Sequence, residues 1–377
     1  MSNNKESVLA IVLLVNSFIW YHFMLLTARV FLAIAICHVG IIGFSVFGSI
    51  LSGKINRVRF IYLWIVLGAI ISFLPIFVNN NSQHTLAYFI IGGCFGIGLP
   101  SCLSYFADHT SVSKRGSLSG VIFLATYLGI YVAAIFGSNR LIADFIFLSA
   151  WRVFGLIVLL LVRPVERADA EREVLPFAAI LKERPYMLYF ITWLVFCVTE
   201  SGASIGFEQT SYIAWIGILG ALASIFGGIV CDRSGRKRVL FTALIALGMV
   251  YAIRGIFPNV ALTEILHLAF SGISWGAFSV IFILVLWGDL SHPRKRREKY
   301  YALGVVPFFL FVLFRVILIQ HSVLVPDASL YSLASFSLFL SALSAIFAPE
   351  TLPEKKIELR RLRRYVERAK KVQEEWD

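Results

Sequence analysis

Twelve apolar stretches of about 20 residues recur along this chain, and they limit its fold more strongly than any other feature. An α-helix rises 1.5 Å per residue, so roughly 20 apolar residues cross the ~30 Å of hydrocarbon in a bilayer. A mean hydropathy of +0.82 and only 15% charged residues indicate that most of the surface faces lipid. The predicted spans cover residues 7–26, 30–52, 60–78, 85–107, 117–137, 142–162, 186–206, 210–230, 239–257, 261–287, 300–320 and 328–348.

Basic residues alternate by side of the membrane. If the N-terminus is cytoplasmic, all but five of the 34 lysines and arginines lie on the cytoplasmic side, the exceptions being Arg29, Arg140, Arg152, Arg254 and Arg315. This is the positive-inside bias of multi-pass membrane proteins. The net charge of +12 therefore indicates membrane topology and not nucleic-acid binding. We expect an integral plasma-membrane protein with both termini cytoplasmic, surrounded by lipid and functional as a monomer.

The sequence also contains a duplication. The longest polar interruption separates six spans from six, and a pair of charged residues recurs on each side of it. Asp108 and Arg115 in the loop between spans 4 and 5 have six residues between them, as do Asp289 and Arg296 between spans 10 and 11. The repeat predicts an all-α membrane protein of two pseudo-symmetric six-helix bundles. Its predicted parts are an N-terminal bundle (1–163), a cytoplasmic linker (164–185), a C-terminal bundle (186–349) and a charged cytoplasmic tail helix (350–377).

A dense charge cluster, "GGIVCDRSGRKRVL", lies between spans 8 and 9. It resembles the Gly-x-x-x-Asp-Arg-x-Gly-Arg-Lys signature of the major facilitator superfamily, which is matched by Gly228, Asp232, Arg233, Gly235, Arg236 and Lys237. The twelve spans and the repeated Asp-x6-Arg pairs extend the resemblance along the whole chain. The segment "PETLPEKK" after span 12 is similar to that of sugar-porter-like members. The resemblance implies a rocker-switch transporter whose solute is held between the two halves.

Physical chemistry assigns roles to this cluster independently of the family. Asp232 follows a helix C-terminus, where the helix dipole disfavours an anion, so Arg233, Arg236 or the N-terminus of a facing helix must balance it. A contact of this kind across the halves would hold the cytoplasmic side closed. Gly235 permits a turn with positive φ, and Gly228 permits close approach of helices. The alternatives are that the cations serve only topology and that the Asp-x6-Arg pairs are ordinary solvated loop charges.

The first half departs from the signature. Its counterpart, "GSILSGKINRVR", has Ser52 in place of the aspartate and Ile55 in place of the glycine. These differences predict a gate that depends mainly on the second half. Span 4 lacks the arginine and span 5 lacks the Gly-Pro element of proton-coupled drug antiporters, and the sugar-binding signature of span 7 is poorly matched. The sequence therefore predicts a small organic solute as the substrate and does not specify its chemical class.

Ionisable and polar side chains inside the spans are the candidate solute and coupling residues, because they are costly in hydrocarbon. Glu200 in span 7 is predicted to bind solute, to carry a coupling proton, or to line a wet outer vestibule. Arg152 lies either at the centre of span 6 or at its outer end as an anchor. Arg315 either faces the cavity or extends to water. His38 and Asn16 either bind solute or join helices.

These patterns favour a secondary transporter, with Glu200 as the candidate for coupling to H⁺, and not an enzyme. No cofactor or metal site is predicted, and the five cysteines are interpreted as packing residues. A transport-inactive sensor or scaffold on the same fold is the first alternative. A polytopic membrane enzyme is the second, and it lacks a gathered set of catalytic residues in the sequence.

Overall fold

The computed structural model describes residues 2–28, 30–78, 80–136, 141–164, 175–203, 205, 210–258, 260–291, 296–320 and 328–352. Within these residues twelve helices are long and apolar enough to cross a membrane, which confirms the predicted all-α fold of twelve spans. The predicted tail helix lies almost entirely outside the described residues, as do positions 165–174 of the predicted linker, Arg29 and Arg140.

Most spans are single helices close to the predicted apolar stretches, and spans 1, 4 and 8 extend several residues past them. Spans 1 to 6 are Ser2–Thr27, Phe31–Leu51, Arg57–Ile71 with a 3₁₀ turn at Leu74–Phe77, Asn81–His109, Arg115–Phe136 and Leu141–Val162. Spans 7, 8, 9 and 12 are Arg184–Ala203, Thr210–Ser234, Arg236–Ile256 and Ala328–Phe347, and a short helix, Phe177–Lys182, precedes span 7. Span 10 consists of Ala261–Phe278, Ser279–Val285 and Leu286–Leu290, and span 11 of Glu298–Gly304 and Val306–Gln320. The extensions add polar residues where the helices leave the hydrocarbon.

Spans 10 and 11 are irregular for identifiable reasons. The middle segment of span 10 is a π-helix, whose wide turn disturbs the regular hydrogen-bond ladder. The Trp287 indole donates to the Phe282 carbonyl, and the Tyr301 hydroxyl donates to the Leu284 carbonyl at 2.7 Å. In span 11 the break precedes Pro307, which has no backbone N–H to donate. Side chains thus satisfy backbone groups that hydrocarbon could not.

The spans form two groups of six. In the first half, span 2 packs along span 4, span 1 contacts spans 4, 5 and 6, and span 3 contacts spans 4 and 6. In the second half, span 9 packs on spans 10 and 12, span 7 on spans 11 and 12, and span 8 on span 10. Span 5 joins the halves by packing against spans 8 and 10, and span 2 joins them by packing against span 11.

Glycines bring spans 5 and 8 into backbone contact. A Cβ added to Gly116 would lie 2.6 Å from the Gly228 carbonyl oxygen, and one added to Gly120 would lie 2.5 Å from the Ser224 carbonyl oxygen. Real Cβ contacts are longer than this, so a side chain at either position would force the helices apart. The close crossing brings the loops that follow spans 4 and 8 together.

Candidate functional site

The connections after spans 2, 4, 8 and 10 share one end of the bundle, called here the basic face. The signature loop between spans 8 and 9 turns at Gly235, whose φ is +105°. This backbone conformation is strained for residues with a side chain, and a Cβ at this position would also overlap the Glu350 carboxylate. The predicted tight turn at Gly235 is therefore present, and it places Asp232 and Arg236 on its two sides.

Asp232 binds the start of span 5 in the other half. Its carboxylate accepts hydrogen bonds from the backbone amides of Gly116 at 2.9 Å and Ser117 at 2.7 Å, and from the Ser117 hydroxyl at 2.7 Å. Helix N-termini present unpaired N–H groups and a positive dipole end, which favour an anion. The facing helix thus balances Asp232, together with Arg236 at 3.4 Å from the carboxylate.

Asp289 is the centre of a fully buried group of charges. It pairs with Arg115 from the first half and with Arg236 Nε at 3.1 Å from its own half. Nη2 of Arg115 donates to the Ala107 carbonyl at 2.6 Å and to the Thr110 carbonyl at 3.1 Å, and Nε donates to the Thr110 hydroxyl at 3.2 Å. These bonds offset the cost of taking the charges out of water, and removing one partner of such a pair would cost about 3–5 kcal/mol.

A second group of charged residues, next to the Asp289 group, also joins the two halves. Arg57, at the start of span 3, binds Asp108 at 2.6 Å and donates through Nε to Glu298 of the second half at 2.8 Å. Asp108 also pairs with Arg297 at 3.1 Å. Arg296 donates to the backbone carbonyl of Ser52 at 3.2 Å. We call the buried charged residues of the two groups the basic-face cluster: Arg57, Asp108, Arg115, Asp232, Arg236, Asp289, Arg297 and Glu298.

The Asp-x6-Arg residues Asp108, Arg115 and Asp289 are not the solvated loop charges of the alternative interpretation. Their side chains are buried, and each one binds a residue of the other half. Of the two arginines offered as partners of Asp232, Arg236 makes the contact and Arg233 is exposed to solvent. Lys237 lies outside the cluster, where its backbone N–H donates to Glu350 at 3.2 Å and its ammonium group donates to the Ile346 carbonyl.

The first half contributes to the closed basic face through an arginine and not through a carboxylate. Ser52 stands where an aspartate could have capped span 11 as Asp232 caps span 5, and the sequence therefore predicts a gate that depends mainly on the second half. Arg57 instead provides ion pairs to both halves. It stands 180 residues before Lys237, so the repeat could have identified it, whereas no sequence signal distinguishes Arg297 from its neighbours.

Arg152 lies at the middle of span 6 and is fully buried, so it does not anchor the outer end. Its guanidinium lies 4.8 Å from the Trp20 ring centroid and 4.4 Å from that of Trp64. One nitrogen donates to Ser17 Oγ at 2.9 Å and to Asn16 Oδ1 at 3.2 Å. No carboxylate pairs with it among the described residues, and the two ring faces attract the guanidinium through cation–π contacts.

Asn16 and His38 make helix-to-helix contacts in this state. The Asn16 amide donates to the Trp151 carbonyl at 2.5 Å, and the Trp151 indole donates back to the Asn16 carbonyl at 2.9 Å. His38 Nδ1 lies 2.7 Å from the Ile34 carbonyl and therefore carries the proton, so Nε2 accepts from the Tyr21 hydroxyl at 2.8 Å. The buried ring of His38 also lies near Phe309 of the second half.

Glu200 is fully buried within the second half and not exposed in a wet vestibule. Its two oxygens have different donors: the Tyr251 hydroxyl binds one, and the Trp275 indole binds the other at 3.1 Å. Arg315, in span 11, is close enough to interact electrostatically with the carboxylate. The sequence interpretation missed Tyr251, because a tyrosine in an apolar span has no distinguishing pattern.

The end of the second half opposite the basic face holds a further polar group. Arg254 donates to Nδ1 of His267 at 2.6 Å, and its guanidinium lies 4.6 Å from the ring centroid of Tyr331. These contacts join Arg254 of span 9 to spans 10 and 12.

Solved structures with the same fold include three transporters. The proton:xylose symporter XylE, bound to 6-bromo-6-deoxy-D-glucose, has a TM-score of 0.64 and 14% identity, covering 93% of this chain and 96% of that one. The human organic anion transporter MFSD10 (TETRAN) has a TM-score of 0.64 and 12% identity, covering 91% and 99%. FucP, a major facilitator transporter in the outward conformation, has a TM-score of 0.69 and 11% identity, covering 93% and 100%.

These structures match more than nine tenths of the chain, which shows that it has the major facilitator fold. The fold implied by the sequence signature is therefore confirmed. Identities this low do not resolve a subfamily. A scan of the sequence against models of protein families finds no match, and neither does a search of curated proteins.

Proposed function

We propose that this protein is a secondary transporter that moves a small organic solute across the plasma membrane by rocker-switch alternating access. The basic-face cluster is its closed cytoplasmic gate, with both chain termini on that side. The observation that carries the proposal is the set of buried charged contacts between the halves, formed by Asp232 with the start of span 5, Arg115 with Asp289, and Asp108 with Arg297.

The chemistry of these contacts supports an interface that opens. Permanent interfaces are mostly apolar, whereas buried ion pairs add little net stability because both charges lose their hydration. When such pairs separate, water solvates each charged group, so the open state is not strongly penalised. The halves can then exchange between two arrangements that differ by a few kcal/mol.

The interior of the second half supports coupling to protons. Glu200 is a buried carboxylate on span 7, within hydrogen-bonding distance of donors from spans 9 and 10. We propose that it binds a proton when the solute site is open to one side and releases it on the other. Burial disfavours a charged carboxylate in general, so changes in its hydration during the cycle would drive this exchange.

The solute class rests on fold analogy alone. The titles of the similar structures describe a proton:xylose symporter and an organic anion transporter, which supports a small organic solute as the cargo here. Arg315 beside Glu200 gives the site both signs of charge. The alternative of an inactive sensor or scaffold depended on the eroded first-half signature, and the cross-half contacts of Arg57 weigh against it.

Uptake by purified protein in liposomes tests the proposal. Radiolabelled sugars, carboxylates and amino acids are offered with and without an imposed pH gradient, and each is also tested for counterflow exchange. We expect saturable uptake of at least one class, dependent on the protein. Uptake no faster than in protein-free liposomes for every class, with correctly folded protein, would contradict secondary transport of such solutes.

A further inference from the structure

A groove of about 410 Å³ lies between spans 7, 11 and 12 of the second half, away from the basic-face cluster. Its walls are almost entirely apolar. The main lining residues are Val198, Gly202, Phe314, Ile317, Leu330 and Leu333.

The groove lies in the leaflet farther from the basic face. Gly202 is next to the last residue of span 7, and Leu330 is the third residue of span 12. From Leu330 to Ser337 the lining of span 12 covers about 10 Å of helix, most of one leaflet's share of the hydrocarbon. The groove therefore begins near the membrane surface and runs toward the bilayer centre.

The rim of the groove opens outward. Val198 is 48% exposed and Leu333 is 60% exposed, although both are large apolar side chains within membrane spans. Side chains of this kind on the outside of a spanning bundle face acyl chains. A water-soluble solute would have to cross hydrocarbon to enter the groove from this side.

The lining offers little for a polar ligand to bind. Among the described residues its polar side chains are the hydroxyls of Thr199, Ser201 and Ser337 and none is charged, and the Ser201 hydroxyl already donates to the Val198 carbonyl at 2.7 Å. The same turn of span 7 carries Glu200, but that carboxylate binds Tyr251 and Trp275 in the interior and is absent from the groove wall. The groove is thus separate from the proposed coupling site.

We propose that this groove binds one acyl chain of a phospholipid from the surrounding leaflet. Three helices line the groove, so a chain lying in it contacts more protein atoms than a chain at a flat surface does. Dispersion contacts of this number favour a resident chain, and an empty space would forfeit them. Gly202 has no side chain to fill the space, and a Cβ added to it would lie 3.9 Å from its nearest neighbour, Leu330 Cδ1.

Photolabelling of the full-length protein tests the assignment. The protein is reconstituted in phosphatidylcholine vesicles that contain a small fraction of phosphatidylcholine with a diazirine on one acyl chain. After illumination, labelled residues are mapped by mass spectrometry. We expect labelling of Phe314, Ile317 and Leu333 to exceed several-fold that of Leu63 and Leu161, which lie elsewhere on the bundle and are more exposed.

Two variants fill the groove from different helices, Gly202→Leu in span 7 and Ser337→Leu in span 12. Each should lower the groove labelling several-fold, and the second keeps the test valid if the first fails to fold. The matched control is Gly43→Leu, because Gly43 also has open space around it but lies in span 2. Labelling in proportion to exposure alone, or unchanged by both variants, would overturn the proposal. Labelling by a diazirine-bearing fatty alcohol but not by the phospholipid would overturn it as well.

Discussion

The Asp232 carboxylate in the second half accepts two hydrogen bonds from Ser117 in the first half, one from the backbone amide and one from the hydroxyl, both at 2.7 Å. Asp232 is thereby an N-cap for a helix that belongs to the other bundle. A helix cap normally stabilises its own chain segment, but here it also holds two bundles together. The contact can exist only while the basic face is closed.

Asp232→Asn should open the basic face. The amide keeps the size of the side chain but loses the negative charge that favours the helix N-terminus and Arg236. A loss of about 1–2 kcal/mol would raise the open population roughly tenfold. The readout is labelling of Ser224→Cys, at the span 5 contact, by a membrane-impermeant maleimide.

The matched control is Arg233→Gln, which changes the charge of an exposed neighbour outside the cluster. Equal labelling in the parent, Asp232→Asn and Arg233→Gln, with all three folded, would remove Asp232 from the gate.

Gly228→Ala should impair transport much more than Gly227→Ala. A Cβ at Gly228 would overlap the Gly116 backbone, whereas one at Gly227 would lie 3.4 Å from Ala277, an ordinary contact. Closure of the basic face requires the close approach of Gly228 to Gly116, whereas it does not depend on the space around Gly227. Solute uptake by the two variants in liposomes provides the comparison, and equal uptake would show that the helices need not approach so closely.

Glu200→Gln should abolish accumulation of solute against its gradient yet leave counterflow exchange. The amide can still accept hydrogen bonds from Tyr251 and Trp275 but cannot bind a proton. Glu264→Gln, in the first turn of span 10, is the control and should accumulate solute normally. If Glu200→Gln still concentrates solute in a pH-dependent manner, another group carries the proton. Loss of both activities in a folded variant would assign Glu200 to solute binding.

Arg152→Ala should destabilise the first half by about 2–5 kcal/mol, because it removes a large side chain between Trp20 and Trp64 and leaves a cavity. Arg152→Met fills most of that volume without a charge and should cost less. Thermal unfolding followed by tryptophan fluorescence compares the two variants. Equal destabilisation would indicate that the charge of Arg152, and not its packing, stabilises the site.

The sequence predicted the elements of this structure well because each depends on local chemistry. Apolar stretches long enough to cross a bilayer have few other ways to fold, which determined the twelve spans. The positive φ of Gly235 follows from a turn that only glycine adopts easily. The close approach at Gly228 follows from the absence of a side chain.

Contacts between side chains could not be predicted in the same way. Asp108 binds Arg57 and Arg297, because the packing of the spans brings residues from distant parts of the chain together. Glu200 binds Tyr251, which is 51 residues away, because spans 7 and 9 meet through tertiary packing. The depth of Arg152 depended on where span 6 begins, and a uniformly apolar stretch does not mark that boundary.

The distance between the halves at the basic face tests alternating access most directly. Lys54 and Arg233 are exposed residues of the two halves, and the five native cysteines are buried, so spin labels can be attached at cysteines introduced at these two positions. Double electron–electron resonance on the reconstituted protein should give two distances between the labels. The shorter one matches this structure, and the population with the longer one should increase in Asp232→Asn. A single distance that changes neither in Asp232→Asn nor when a transported solute is added would contradict alternating access.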